Sequence, residues 1–169
     1  TVGMFISNLG LYLAACVAAA STGMIFAPGA WYEGLSKPRW TPPRWAFPVV
    51  WTTIYLLIAL AAARVALLPQ PGVALALWSV QTALNTLWTP VFFGAHRKGA
   101  GLVIIVLLWL TVLVMLPVFW SLDPVAGLLI VPYLLWLSVA ASLNFLYSRS
   151  RRISSRATKG NVTNTVAST

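Results

Sequence analysis

Five stretches of this chain contain no Asp, Glu, Lys or Arg: residues 4–27, 45–63, 73–94, 100–121 and 125–148. Each is long enough to cross a lipid bilayer as a helix, which takes about 20 mostly apolar residues. Inside hydrocarbon no water is available to the backbone, so every N–H and C=O must be paired within the segment or in a closed barrel. These stretches are too long and too uniformly apolar for barrel strands, which alternate over about ten residues. The fold expected is an all-α membrane protein, a bundle of five transmembrane helices over about 4–27, 45–67, 73–94, 100–121 and 124–148. The composition agrees: 60% of residues are hydrophobic and 8% charged, and a soluble domain of this size could not cover so much apolar surface with so few charges.

The breaks between the stretches are punctuated. Pro28-Gly29 closes the first, Pro69-Gln70-Pro71-Gly72 separates the second from the third, and Gly94 precedes the turn Ala95-His96-Arg97-Lys98. Asp123-Pro124 opens the fifth, with Asp123 placed to cap the helix and Pro124 at its first position. Residues 1–149 form the transmembrane domain. Residues 150–169 are basic, then rich in Ser, Thr and Asn, and are expected to be a disordered tail. The first stretch is too long and too uncharged at its start for a signal peptide and is read as a retained helix.

Cations are distributed unevenly between the two sides. Lys37, Arg39 and Arg44 lie in the first loop, Arg97 and Lys98 in the third, and Arg149, Arg151, Arg152, Arg156 and Lys159 in the tail. Five crossings put these on one side and leave Arg64 alone on the other, where it can snorkel from its helix end. The positive-inside rule places the basic side and the C-terminus in the cytoplasm and the N-terminus outside. The net charge of +9 is thus an orientation signal, and the absence of a basic face excludes nucleic acid as a partner.

No conventional catalytic set is present. The chain has one His, one Cys and two acids, Glu33 and Asp123, which leaves no paired carboxylates, no triad and no metal cluster. His96 sits in a basic loop and reads as a solvated residue. Tryptophan is abundant, with nine residues. Trp31, Trp40, Trp45 and Trp120 fit an interfacial belt, but Trp51, Trp109 and Trp136 fall within spans and serve either packing or a ligand. Helical spacing puts Phe47, Trp51 and Tyr55 on one face. Asn85, Trp88 and Phe92 share another, and Tyr133, Trp136, Ala140 and Asn144 a third. Amides within a span turn into the bundle, as interhelical hydrogen bonds or as ligand contacts. Above them lies the long first loop with Trp31, Tyr32 and Trp40. Aromatic faces and a few amides beneath such a lid suit a flat, largely apolar ligand. Lys37, Arg39 and Arg44 serve either topology or carboxylates at the ligand's edge.

The sequence resembles the tryptophan-rich sensory protein and translocator protein family, which includes the peripheral benzodiazepine receptor, and within it the bacterial members. Three stretches carry the likeness: Trp40-Thr41-Pro42-Pro43-Arg44-Trp45-Ala46-Phe47-Pro48 continuing to Trp51 and Tyr55; Ala83-Leu84-Asn85-Thr86-Leu87-Trp88-Thr89-Pro90-Val91-Phe92-Phe93-Gly94; and Pro132-Tyr133-Leu134-Leu135-Trp136 continuing to Leu143 and Asn144. The resemblance implies five transmembrane helices, usually dimeric, that bind porphyrins such as protoporphyrin IX, and sterols, in tetrapyrrole regulation or transport and in stress responses. It implies a pocket at Trp51, Asn85, Trp88, Trp136, Ala140 and Asn144. No cofactor is expected beyond the porphyrin as ligand. Light-driven porphyrin degradation, with Trp51 and Trp136 as redox partners, is the enzymatic alternative; a channel or secondary transporter is a lesser one. The family's sterol pattern reads here as Leu143, Tyr147 and Arg149, a permissive motif that a basic helix end with an interfacial Tyr explains better. The membrane would be that of a bacterial cell envelope, or the mitochondrial outer membrane in a eukaryote. Gly72 and Ala76 form a short small-residue pair of the kind that lets helices of two copies approach.

Overall fold

The computed structural model describes residues 2–25, 39, 45–95 and 98–167, with side chains to Leu146 in the last helix. The chain forms α1 (Val2–Ile25), α2 (Ala46–Val65), α3 (Gly72–Thr89), a π-helical turn (Pro90–Gly94), α4 (Lys98–Leu122) and α5 (Pro124–Ala167). The all-α, five-helix architecture is the one expected. Helices α1, α2, α4 and α5 are long and apolar enough to cross a membrane. Helix α3 is the polar one: Ser79, Gln81, Thr82, Asn85, Thr86 and Thr89 fall within its 18 residues.

The π turn departs from the uniform helix expected over 73–94. Pro90 has no N–H, and its ring collides with the carbonyl four residues back in a regular α-helix. The chain widens instead, and Ala95 N–H donates to the Pro90 carbonyl at 2.8 Å. Helix α5 runs on to Ala167. No proline interrupts it after Pro132, and lengthening an existing helix adds a hydrogen bond per residue without the cost of a new nucleus.

Helix–helix contacts run in the cyclic order α1, α2, α5, α4, α3, and α2 touches all four other helices. Small residues make this close approach possible: Ala59, Ala61, Ala62, Ala63 and Val65 of α2 are fully buried. From α4 and α5 they meet a core that includes Val112, Met115, Phe119, Ala126 and Ile130. Outward faces such as Val103, Val106, Leu107 and Leu110 of α4 remain exposed and apolar, as lipid contact requires.

The far end of α2 is tied to the α4–α5 turn. Asp123 N–H donates to the Phe119 carbonyl at 2.8 Å, and Val125 N–H donates to Asp123 Oδ1 at 3.1 Å, so Asp123 caps α5 as its position before Pro124 predicts. Arg64 does not snorkel alone: its Nε donates to Asp123 Oδ2 at 2.6 Å. This hydrogen bond holds the Asp123 carboxyl below its ordinary range, helped by the Val125 amide and by the Arg64 charge. Gly127 allows the first turn of α5 to lie against α4, since a Cβ there would sit 2.8 Å from Trp120 Cα.

Candidate ligand-binding site

Three helices meet at the face that carries Phe47, Trp51 and Tyr55. The rings of Trp51 and Tyr55 stack along α2 at 5.6 Å. From α5, Trp136 meets Trp51 edge-on at 6.3 Å and Phe47 edge-on at 5.5 Å, while Tyr133 meets Trp51 at 6.3 Å. Phe47, Trp51, Tyr55 and Trp136 keep part of their surface exposed, whereas Tyr133 behind them is completely buried. Trp136 Nε1 is itself buried and has no hydrogen-bond partner among the described residues. A buried N–H left so costs about 1–3 kcal/mol, and an acceptor on a bound molecule would recover it.

Behind the aromatic wall runs a chain of hydrogen bonds. The Tyr55 hydroxyl donates to Asn85 Oδ1 at 3.0 Å. Asn85 Nδ2 donates to the Tyr133 oxygen at 3.0 Å, and the Tyr133 hydroxyl donates to Gln81 Oε1 at 2.6 Å. Gln81 Nε2 then donates to Thr82 Oγ1 at 2.8 Å, and the Thr82 hydroxyl donates to the Trp78 carbonyl at 3.0 Å. Polar groups removed from water must be paired, and these pair across α2, α3 and α5.

Closer to the π turn lies a second cluster. Trp88 and Phe92 stack at 5.2 Å with their planes 10° apart. Trp88 Nε1 donates to Asn144 Oδ1 at 3.3 Å. A Cβ at Gly101 of α4 would lie 3.1 Å from Phe92 Cδ2 and 3.4 Å from Asn144 Oδ1, so glycine leaves room for both side chains. Trp88, Phe92, Ala140, Leu143 and Asn144 are all buried.

The structure therefore brings the expected residues together in two groups: Phe47, Trp51, Tyr55 and Trp136 with Asn85 behind them, and Trp88, Phe92, Ala140 and Asn144. Gln81, an amide within a span, and Tyr133, placed by spacing on the face of Trp136 and Asn144, join Asn85 in the buried chain. Their spacing offers a signal, since Gln81 and Asn85 are one helical turn apart. Trp109 turns out to pin α4 to α5, donating from Nε1 to Ser138 Oγ at 2.8 Å. Trp45 and Trp120 are exposed, as belt residues should be. Arg39 is exposed. Trp40, Lys37 and Arg44 lie outside the described residues, as do the side chains of Tyr147 and Arg149. Among the described residues no group of His, Cys, Asp and Glu is arranged to hold a metal.

Residues 12–149 match the TspO/MBR family. The chain belongs to that family. It is 49% identical over 146 residues to the protein CrtK of Rhodobacter capsulatus, covering 84% of this chain and 91% of that one. The tryptophan-rich sensory protein of Cereibacter sphaeroides is 51% identical over 134 residues, 79% of this chain and 85% of that protein. The pig translocator protein is 35% identical over 120 residues, 68% and 71% of the two chains. The TspO/MBR match spans both residue clusters, and this member is a multi-pass integral membrane protein by its helices.

Proposed function

We propose that this TspO/MBR protein is a membrane receptor or carrier for a porphyrin, protoporphyrin IX first, and for other flat apolar molecules such as sterols, acting in tetrapyrrole regulation or transport. The observation that carries this reading is the partly open wall of Phe47, Trp51, Tyr55 and Trp136, in which the Trp136 indole N–H has no partner among the described residues. Aromatic faces stack on a macrocycle with little entropy lost, and a lone donor fixes its orientation. The far half of the bundle is filled by the buried alanines of α2, which favours a receptor over a conduit. Dark titration of detergent-purified protein with protoporphyrin IX, read by tryptophan quenching, tests it. Saturable binding should weaken about tenfold, roughly 1.4 kcal/mol, in Trp51→Phe and in Trp136→Phe. Unchanged affinity in both would remove the role of the wall.

A second reading is light-dependent porphyrin degradation. It is favoured by the 6.3 Å separation of the Trp51 and Trp136 rings, which lets either indole touch one excited ligand. Illumination should then yield a new absorbing product with the wild type and much less with the two Phe variants; equal rates would sink it. Ten cations on one side support a cytoplasmic C-terminus and an outside N-terminus, in a bacterial envelope membrane given the bacterial relatives. Gly72 and Ala76 are exposed on α3, which supports assembly as a homodimer.

A further inference from the structure

The hydrogen-bond chain behind the aromatic wall has a fixed direction, and its direction decides what Tyr55 can offer a ligand. A backbone carbonyl can only accept, so the Thr82 hydroxyl must give its one proton to Trp78. Thr82 Oγ1 is then left to accept from Gln81 Nε2, which turns Gln81 Oε1 towards Tyr133. The Tyr133 proton is thereby spent, and its oxygen accepts from Asn85 Nδ2. That turns Asn85 Oδ1 towards Tyr55 and engages the Tyr55 proton. Five bonds in one sense polarise one another, drawing charge towards the Tyr55 oxygen. That oxygen accepts no hydrogen bond among the described residues, and Tyr55 is the member of the three-residue group Tyr55, Asn85 and Tyr133 that remains partly exposed, stacked on Trp51.

We propose that Tyr55 is a specificity-determining residue that presents an acceptor-only pole to the bound molecule, selecting a flat ligand whose buried edge carries a hydroxyl donor, or no polar group, and turning away a carboxylate. This deepens the porphyrin reading and rests on it. A carboxylate next to Tyr55 would find a lone pair and no proton, and burying a charge without a partner is costly. A molecule with carboxylates along one edge only is therefore seated with that edge away from Tyr55. Asn85 acts here as a positioning residue: both arms of its amide are engaged, and it holds the Tyr55 proton.

Three porphyrins with the same ring distinguish the outcomes. Protoporphyrin IX carries two propionates on one edge and vinyls opposite. Haematoporphyrin IX has hydroxyethyl groups in place of the vinyls, and coproporphyrin III has propionates there. Dark quenching titrations of the full chain should rank coproporphyrin III at least about tenfold weaker than protoporphyrin IX, the scale of an unpaired charged group. Tyr55→Phe should weaken haematoporphyrin IX roughly fivefold more than it weakens protoporphyrin IX, the difference of one neutral hydrogen bond. Asn85→Leu frees the Tyr55 proton while Tyr133 still donates to Gln81, and it should narrow the gap between coproporphyrin III and protoporphyrin IX. Equal haematoporphyrin losses and protoporphyrin losses in Tyr55→Phe, with an unaltered coproporphyrin gap in Asn85→Leu, would overturn the acceptor pole and leave the porphyrin reading standing. Failure of the folded wild type to bind any of the three would overturn both.

Discussion

Tyr133 is completely buried and spends both hydrogen-bonding functions inside the bundle. Its replacement by Phe strands Asn85 Nδ2 and Gln81 Oε1 together, so Tyr133→Phe should destabilise the protein by about 2–4 kcal/mol, the cost of two buried unpaired groups. Thermal unfolding in detergent measures this, and Tyr55→Phe, which strands one acceptor, should cost less. An equal melting temperature for Tyr133→Phe and wild type would mean that the chain of bonds carries no stability. The same comparison separates the roles of neighbouring aromatics, because Tyr133 lies behind the wall and Tyr55 in it. Spacing along α2 and α5 places such residues on faces, but four residues apart says nothing about which hydroxyl finds which amide. Tyr133 and Gln81 are 52 positions apart in the chain.

Helix junctions carry their own tests. Gly127 lies where α5 crosses Trp120, and a Cβ 2.8 Å from backbone cannot be relieved by a rotamer change. Gly127→Ala should therefore lower stability by roughly 1–3 kcal/mol, as overpacking does. Gly101→Ala meets the side chains of Phe92 and Asn144 at 3.1–3.4 Å, which can yield, and should cost less in the same unfolding assay. Pro90→Ala removes the cause of the π turn. Relaxation of residues 90–94 to α-helix would rotate Phe92 away from its stack on Trp88, and a changed tryptophan emission spectrum is the expected sign. The Arg64–Asp123 pair gives a pH dependence. Asp123 is held below the ordinary carboxylate pKa of about 3.9, so the pair contributes fully above that value and is lost as pH falls through the lower folded value. With Arg64 40% exposed, the contribution is about 1 kcal/mol or less. Asp123→Asn should melt earlier than wild type at neutral pH, and the gap should close below about pH 4; a gap constant with pH would assign it to the lost cap.

At the scale of the whole molecule, the two ends of the bundle differ. The end bearing Phe47 and the π turn holds the open aromatic wall, while the end bearing Arg64 and Asp123 is tied by an ion pair and packed with alanine. A ligand should therefore exchange from the basic side alone. In oriented proteoliposomes, porphyrin added on the side of the C-terminus should quench tryptophan faster than porphyrin added on the other; equal rates would mean a second way in, through lipid or between helices. The ring order α1, α2, α5, α4, α3 makes this arrangement possible by setting α5 against α2, so that residues of the last helix face those of the second.

The sequence by itself determined the five helices, because charge-free runs of that length leave a backbone in lipid no alternative. It also determined the cap at Asp123 and the shared face of Phe47, Trp51 and Tyr55, since both follow from local geometry along one helix. Only the tertiary structure decided that Arg64 meets Asp123, 59 positions away, and that Gly101 and Gly127 are points of close approach. It also decided that Asn85 is held by Tyr55 and Tyr133 together, and with that the sense in which the hydrogen-bond chain runs. Those outcomes depend on which helices are neighbours and at what depth, and every lipid-compatible order of five apolar helices satisfies the backbone equally well.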